Sequence, residues 1–248
     1  MLVDLLKQQP KSGEGGFQTK HNCTIKAEKI LKGKLLRLYY KLERNCFRLR
    51  PYTGGADIDT VNEREINNPN HAPYIERLLN KIQKAREEAD FVVFCLHCGG
   101  QYNDEIGLYT QYIHSILKGT DVDLVVGTHP HCVLGNYFDR NRLFTYSLGN
   151  FSFTPGEKWY VDTVHAQYAI VLNMYIDEST KKISKYTYSI VKNVVGKDGI
   201  SRVYPITELK EERYDEKLKS DVKKVTKRFT GKSNPQIRSE YLIKEYKI

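Results

Sequence analysis

From Pro73 to Ala89 the apolar residues Ile75, Leu78, Leu79, Ile82 and Ala85 recur at helical spacing, with Pro73 acceptable in the first turn. Asp90 then leads into Phe91-Val-Val-Phe-Cys-Leu96, a continuous apolar run that predicts a strand covered on both faces. A polar loop, His97 to Asp104, follows. Between Glu105 and Lys118 the residues Ile106, Tyr109, Ile113, Ile116 and Leu117 fall on one side of a second helix, which Gly119 ends. Asp123-Leu-Val-Val126 reads as a short strand running into the loop Gly127-Thr-His-Pro-His131.

Helix, strand, helix, strand in this order predicts a βαβ crossover with parallel strands. Both histidine-bearing loops then follow the carboxyl ends of strands, where ligands sit in open α/β sheets. Beyond His131 the pattern changes. Leu143–Leu148, Gln167–Ile176 and Ile183–Lys192 read as antiparallel strands with polar turns. From Thr207 to about Phe229 the chain predicts a charged helix with a solvated face. The expected division is a basic segment over 1–50, a domain over 51–206 and a charged helical tail over 207–248.

Charge changes the picture only at the ends. The formal net charge is +9, but residues 1–50 carry +8, 51–206 carry −3 and 207–248 carry +4. Neither flank interleaves aromatic and arginine residues as a base-stacking module would, so nucleic-acid binding is not expected. Attraction to an anionic polymer or surface is the physical content that survives. The longest apolar run, Phe91 to Leu96, is far below the ~20 residues of a membrane span. Neither an anchor nor a signal peptide is expected in the sequence as it stands. The cysteines, Cys23, Cys46, Cys95, Cys98 and Cys132, are odd in number and widely spread, and are read as reduced thiols. Cys95, inside the predicted buried strand, is expected to be an inert core thiol rather than half of a redox pair with Cys98.

Three histidines carry candidate chemistry. His97 ends one predicted parallel strand, and His129 and His131 follow its neighbour. Imidazoles at adjacent strand ends can converge on one point, a His-x-His pair can offer nitrogens to one metal or to two, and such ligands suit Zn, Fe or Mn. Pro130 restricts the backbone between the pair, while Gly99, Gly100 and Gly127 allow close approach to a bound group. The alternative for each element alone is a core histidine and a surface turn. His114 falls off its helical stripe and is expected to be exposed, His21 and His71 lie in polar surroundings, and His165 begins a strand near a predicted edge, as a distant site neighbour at most. No nucleophile elbow or phosphate loop is present.

The segments Ala89–Tyr102, Asp123–His131 and Tyr146-Ser-Leu-Gly-Asn-Phe151 resemble, in order and spacing, successive motifs of the CapA family of capsule and poly-γ-glutamate synthesis proteins. The resemblance covers about residues 60–205, with Tyr52-Thr-Gly-Gly55 as a faint extension. It implies the second half of a metallophosphoesterase-like α/β sandwich: a parallel βαβ core, then antiparallel strands and a C-terminal helix. It implies His97, His129 and His131 as ligands of a divalent metal, with Asn150, Gly99 and Gly127 as site neighbours. Cys98 stands where family members commonly have Trp. The Gly-Asp strand end, Asn-Leu-Glu element and Asn-His pair of the family's first half have no counterpart between Met1 and Arg50.

A two-metal hydrolase needs bridging carboxylates as well as imidazoles. The chain alone is therefore expected to be catalytically silent and, with an uncovered sheet edge, prone to associate. The complete protein would be a metal-dependent hydrolase of a phosphoester or γ-linked polymer bond, with water activated by the metal as the attacking species. Its expected place is the cell envelope, beside other capsule-synthesis proteins. Two other readings stay open: a non-catalytic envelope-assembly component that binds an anionic polymer or capsule precursor through its basic flanks, and an inactive remnant.

Overall fold

A computed structural model describes residues 31–35, 37–38, 69–100, 104, 106–152, 164–209, 216–231 and 242–248. Most of the basic segment, Tyr52–Gly55, His21, Cys23 and Cys46 lie outside these residues. The first layer begins with helix α1, Ala72–Glu88, entered through a 3-10 turn and with proline in its first turn. Strand β1, Val93–His97, helix α2, Leu108–Lys118, and strand β2, Leu124–Thr128, complete the expected crossover. β1 and β2 are parallel, with Val93 opposite Leu124 and His97 opposite Thr128. The two helices cover one face of this sheet, where Leu78, Ile82, Leu96, Tyr109, Ile113, Leu117 and Val125 form a single buried cluster.

Two strands join β2 on its other side. The hairpin β3, Asn136–Asp139, and β4, Arg142–Thr145, gives the order β1-β2-β4-β3. β4 runs antiparallel to β3 but parallel to β2, so the expected antiparallel strand near Leu143 has one neighbour of each kind. β3 escaped the sequence pattern because Asn136-Tyr-Phe-Asp139 is too short to show a period.

The second sheet is built from the long hairpin β5, Tyr168–Asp177, and β6, Lys182–Val195, extended by β7, Ser201–Pro205. A short strand β8, Tyr246–Lys247, also pairs with β6. This sheet packs on the first: Tyr186 is buried with Leu124 and Leu143, flanked by Leu172, Met174 and Val126. The result is the expected mixed α/β sandwich, parallel in one part and antiparallel in the other, with the architecture of a partial metallophosphoesterase-like fold.

The tail departs from its expected solvated face. Helix α3, Glu216–Thr230, is strongly charged, yet Leu218, Val222, Val225 and Phe229 form a fully buried stripe at helical spacing. They pack on Tyr168, Ile170, Tyr188 and Ile190 of the second sheet. At about 1.5–3 kcal/mol for each fully buried side chain, this helix belongs to the core. Its many lysines cover the opposite face and mask the stripe in an average over composition.

β1 is covered on one face only. Val93 is 44% exposed and Cys95 is exposed: among the described residues no strand lies beyond β1, and the second sheet packs over β2, β4 and β3. Cys95 is therefore not the buried thiol that the apolar run suggested. Cys98 and Cys132 are buried instead, and burial pushes the Cys132 thiol up to about 12.

His114 and His71 are also corrected. Both are buried, and His114 is 1% exposed. Its ring stacks on Tyr146 at 4.3 Å between centroids, and its Nδ1 lies 3.1 Å from the Tyr137 hydroxyl. An amphipathic stripe drawn for one covering surface misses it, because the β3–β4 hairpin covers the flank of α2. Burial, reinforced by Lys118, lowers the His114 pKa to about 4. Above pH ~6.5 the ring is neutral folded and unfolded, and contributes no pH dependence. As pH falls from ~6.5 toward 4 only the unfolded chain takes up the proton, so stability is lost across that window, by about 3 kcal/mol in all. Urea melts from pH 7 to pH 4 should show this loss in the wild type. In His114→Phe the same series should be flatter by about that amount.

Candidate functional site

The candidate site is assembled at the carboxyl ends of β1 and β2. His97 is the last residue of β1, and the parallel register sets it beside Thr128, the last residue of β2. The His97 Nδ1 lies 3.1 Å from Thr128 Oγ1, and that hydroxyl donates to the Leu96 carbonyl at 3.3 Å. When that proton goes to the carbonyl, the hydroxyl accepts from the imidazole and His97 is protonated on Nδ1. Its Nε2 carries the lone pair and stands 3.0 Å from His129 Nδ1.

His131 is fixed by the same logic. Asn150 is 4% exposed and donates both amide hydrogens, to the carbonyls of His131 and Ala166, each at 2.9 Å. Its Oδ1 therefore faces His131 Nδ1, at 2.8 Å, as an acceptor. His131 must carry its proton on Nδ1 and its lone pair on Nε2. The Asn150 backbone carbonyl in turn accepts from Asn193 Nδ2 at 2.7 Å.

The backbone between the histidines is strained into place. His129 has φ +97° and His131 φ +55°, both in the positive region that non-glycine residues seldom adopt. For His129 this is also outside the extended region usual before proline. Two close approaches hold the turn. A Cβ on Gly127 would lie 2.0 Å from the Tyr146 carbonyl oxygen, so only glycine lets the end of β2 pass that strand. A Cβ on Gly99, at φ +116°, would meet Pro130 Cγ at 2.9 Å, so the two histidine loops pack directly on each other.

The structure thus brings His97 and His129 together and leaves His131 on Asn150, its ring centroid 6.1 Å from that of His129. Among the described residues no group of three or more His, Cys, Asp or Glu side chains is closed around one point. As it stands the pair is spaced as a hydrogen bond from His129 Nδ1 to His97 Nε2, and a shift of that proton to His129 Nε2 would leave two imidazole nitrogens able to face a divalent ion. Two nitrogens bound to one ion at ~2.1 Å stand about 3.0–3.4 Å apart in octahedral or tetrahedral geometry, close to the His97–His129 separation. Thr128, Ala166 and Asn193 were missed by sequence reasoning. Thr128 was recoverable, since the predicted parallel pairing sets it opposite His97. Asn193, a buried polar residue within an apolar strand, had no local signal.

Residues 43–155 match the family described as bacterial capsule synthesis protein PGA_cap. This range takes in both histidine loops and Asn150. Residues 43–155, a little under half of the chain, are thus similar to this capsule-synthesis family. The capsule biosynthesis protein CapA of Bacillus anthracis is 30% identical over 95 residues, which are 37% of this chain and 23% of that protein. The PGA biosynthesis protein CapA of Bacillus subtilis (strain 168) is 29% identical over 98 residues, 40% of this chain and 26% of that protein. The chain matches about a quarter of the length of these curated relatives. The match to the PGA_cap family stops before β5, so β5–β8 and α3 lie beyond it.

Thr128→Val keeps the shape of the side chain and removes the acceptor for His97. At a pH where the ring is neutral, the nitrogen-15 shifts of His97 should change from a single Nδ1–H tautomer to a mixture. Unchanged shifts would show that Thr128 does not set the tautomer.

Proposed function

We propose that this chain supplies the histidine side of a divalent-metal centre in a CapA-type capsule or poly-γ-glutamate synthesis protein. The observation that carries the reading is the 3.0 Å convergence of His97 Nε2 and His129 Nδ1, with the Nε2 lone pair of His131 on the same loop. His97, His129 and His131 are the residues that would hold the ion, and neutral imidazoles suit Zn, Fe or Mn. When bound, such an ion supplies Lewis acidity and a water made acidic enough to react near neutral pH.

The chain's own residues do the rest. Thr128 and Asn150 hold the proton on Nδ1 of His97 and His131, which keeps each Nε2 available as a base. Gly99 and Gly127 bring the two loops together, and Pro130 sits between the histidines and against Gly99. Carboxylates able to bridge a second ion would come from outside the described residues. In the complete protein the proposed reaction is hydrolysis of a phosphoester or of a γ-linked polymer bond.

Titration calorimetry of the purified chain with Zn²⁺ and Mn²⁺ tests the ligand assignment. The His129→Ala/His131→Ala protein should bind at least one of these ions 100-fold more weakly than wild type. Equal affinity for both ions in the two proteins would sink it.

The proposed partner is an anionic polymer or its precursor, supported by the +8 charge of residues 1–50. Binding to polyglutamate should weaken steeply between 50 and 300 mM salt and be largely lost when residues 1–50 are deleted. An affinity indifferent to salt would remove this part of the reading.

A further inference from the structure

Helix α3 and the segment 164–166 lie outside the stretch that matches the PGA_cap family, yet they are wired to the support of His131. The link starts at Asp221, 6% exposed, in the middle of α3. Its Oδ1 lies 3.4 Å from His165 Nε2, and its Oδ2 accepts from the Tyr168 hydroxyl at 3.1 Å. Burial alone would raise this carboxyl, but hydrogen bonding from His165 and Tyr168, with a contribution from Lys217, holds it below the usual carboxylate range.

His165 is 5% exposed and has φ +58°, a left-handed conformation uncommon for a residue other than glycine. An imidazole anchored to a buried carboxylate is a sufficient reason for the backbone to stay there. About two turns further along α3, Arg228 donates to the Val164 carbonyl at 2.6 Å and reaches Asp104 Oδ2, in the loop after β1, at 3.4 Å. Two side chains of one helix therefore grip two consecutive residues, 164 and 165. The next carbonyl, that of Ala166, is the one that accepts from Asn150.

We propose that α3 is a positioning element for the histidine site: Asp221 and Arg228 fix Val164 and His165, the Ala166 carbonyl then fixes the Asn150 amide, and Asn150 fixes the tautomer of His131. Asp221 and His165 touch no reacting group. They act through Asn150. The inference uses the reading of His131 as a ligand to give the relay its purpose, but the relay itself is a statement about protons and can be read without metal.

The test compares wild type, Asp221→Ala, Asp221→Asn and His165→Asn, each checked for a cooperative melt. His165→Asn carries the test if Asp221→Ala does not fold, since asparagine tolerates the left-handed backbone. The first readout is the pair of ring nitrogen-15 shifts of His131, metal-free and at a pH where the ring is neutral. Wild type should show a single Nδ1–H tautomer. Asp221→Ala and His165→Asn should show a mixture, and Asp221→Asn, which keeps an acceptor, should stay near wild type.

The second readout is Zn²⁺ affinity, expected to fall 10- to 100-fold in Asp221→Ala. In an Asn150→Ala background the Asp221→Ala change should have no further effect on it. A wild-type His131 signature in folded Asp221→Ala or His165→Asn overturns the relay. If wild type takes up no metal while the tautomer still responds to Asp221, the metal reading fails and the relay stands.

Discussion

The parallel pairing of β1 with β2 decides where every candidate site residue stands. Side chains alternate along a strand, so a slip of one residue would turn His97 to the opposite face and set it against Gly127 rather than Thr128. In the observed register three contacts are satisfied together. His97 meets the Thr128 hydroxyl, its Nε2 meets His129, and Gly127 falls where a strand of the hairpin leaves no room for a side chain. The pairing is held by the apolar cluster under α1 and α2, which extends to Leu96 and Cys98 on either side of His97. Packing on one face of the sheet thus fixes chemistry at its end.

The site is also held by the way its hydrogen bonds run out. Asn150 has both amide hydrogens engaged by carbonyls and can only accept from His131, and Thr128 accepts from His97 whenever its hydroxyl donates to the Leu96 carbonyl. A partner with a spare proton would leave the tautomer undecided, and the ring could then present either nitrogen. The positive φ values of His129 and His131 show the cost of the arrangement, of order 1–3 kcal/mol for each such residue. Strain of that size persists only where neighbouring structure leaves no alternative. Here the Gly127–Tyr146 approach and the packing of Pro130 against Gly99 provide that constraint.

The βαβ unit was legible because its periods are long and clean, and because the histidines lie where the strands end. The placement of His97, His129 and His131 at those strand ends was legible for the same reason, while Asn150 entered only through the resemblance. Legibility failed wherever burial comes from a neighbour distant in sequence. His114 looked exposed on its own helix and is covered by the β3–β4 hairpin. Cys95 looked buried within its own strand and is exposed, because the second sheet stops short of β1. α3 looked solvated by composition, although four apolar residues in fifteen at the right spacing suffice for a core helix.

The same distinction between near and far runs through the candidate site. All three histidines fall within residues 97–131, and their spacing belongs to one supersecondary unit. The groups that orient Asn150 do not: Ala166 and Asn193 stand 16 and 43 residues away, on the entry to β5 and on β6. A chain cut at residue 155 would keep every candidate ligand and the whole of the matched segment. It would lose the Ala166 carbonyl, and Asn150 would then have an unoccupied amide hydrogen and could rotate its acceptor away from His131. The first layer of the sandwich carries the candidate donor atoms. The second layer, with α3 behind it, decides which atom of His131 can act as a donor.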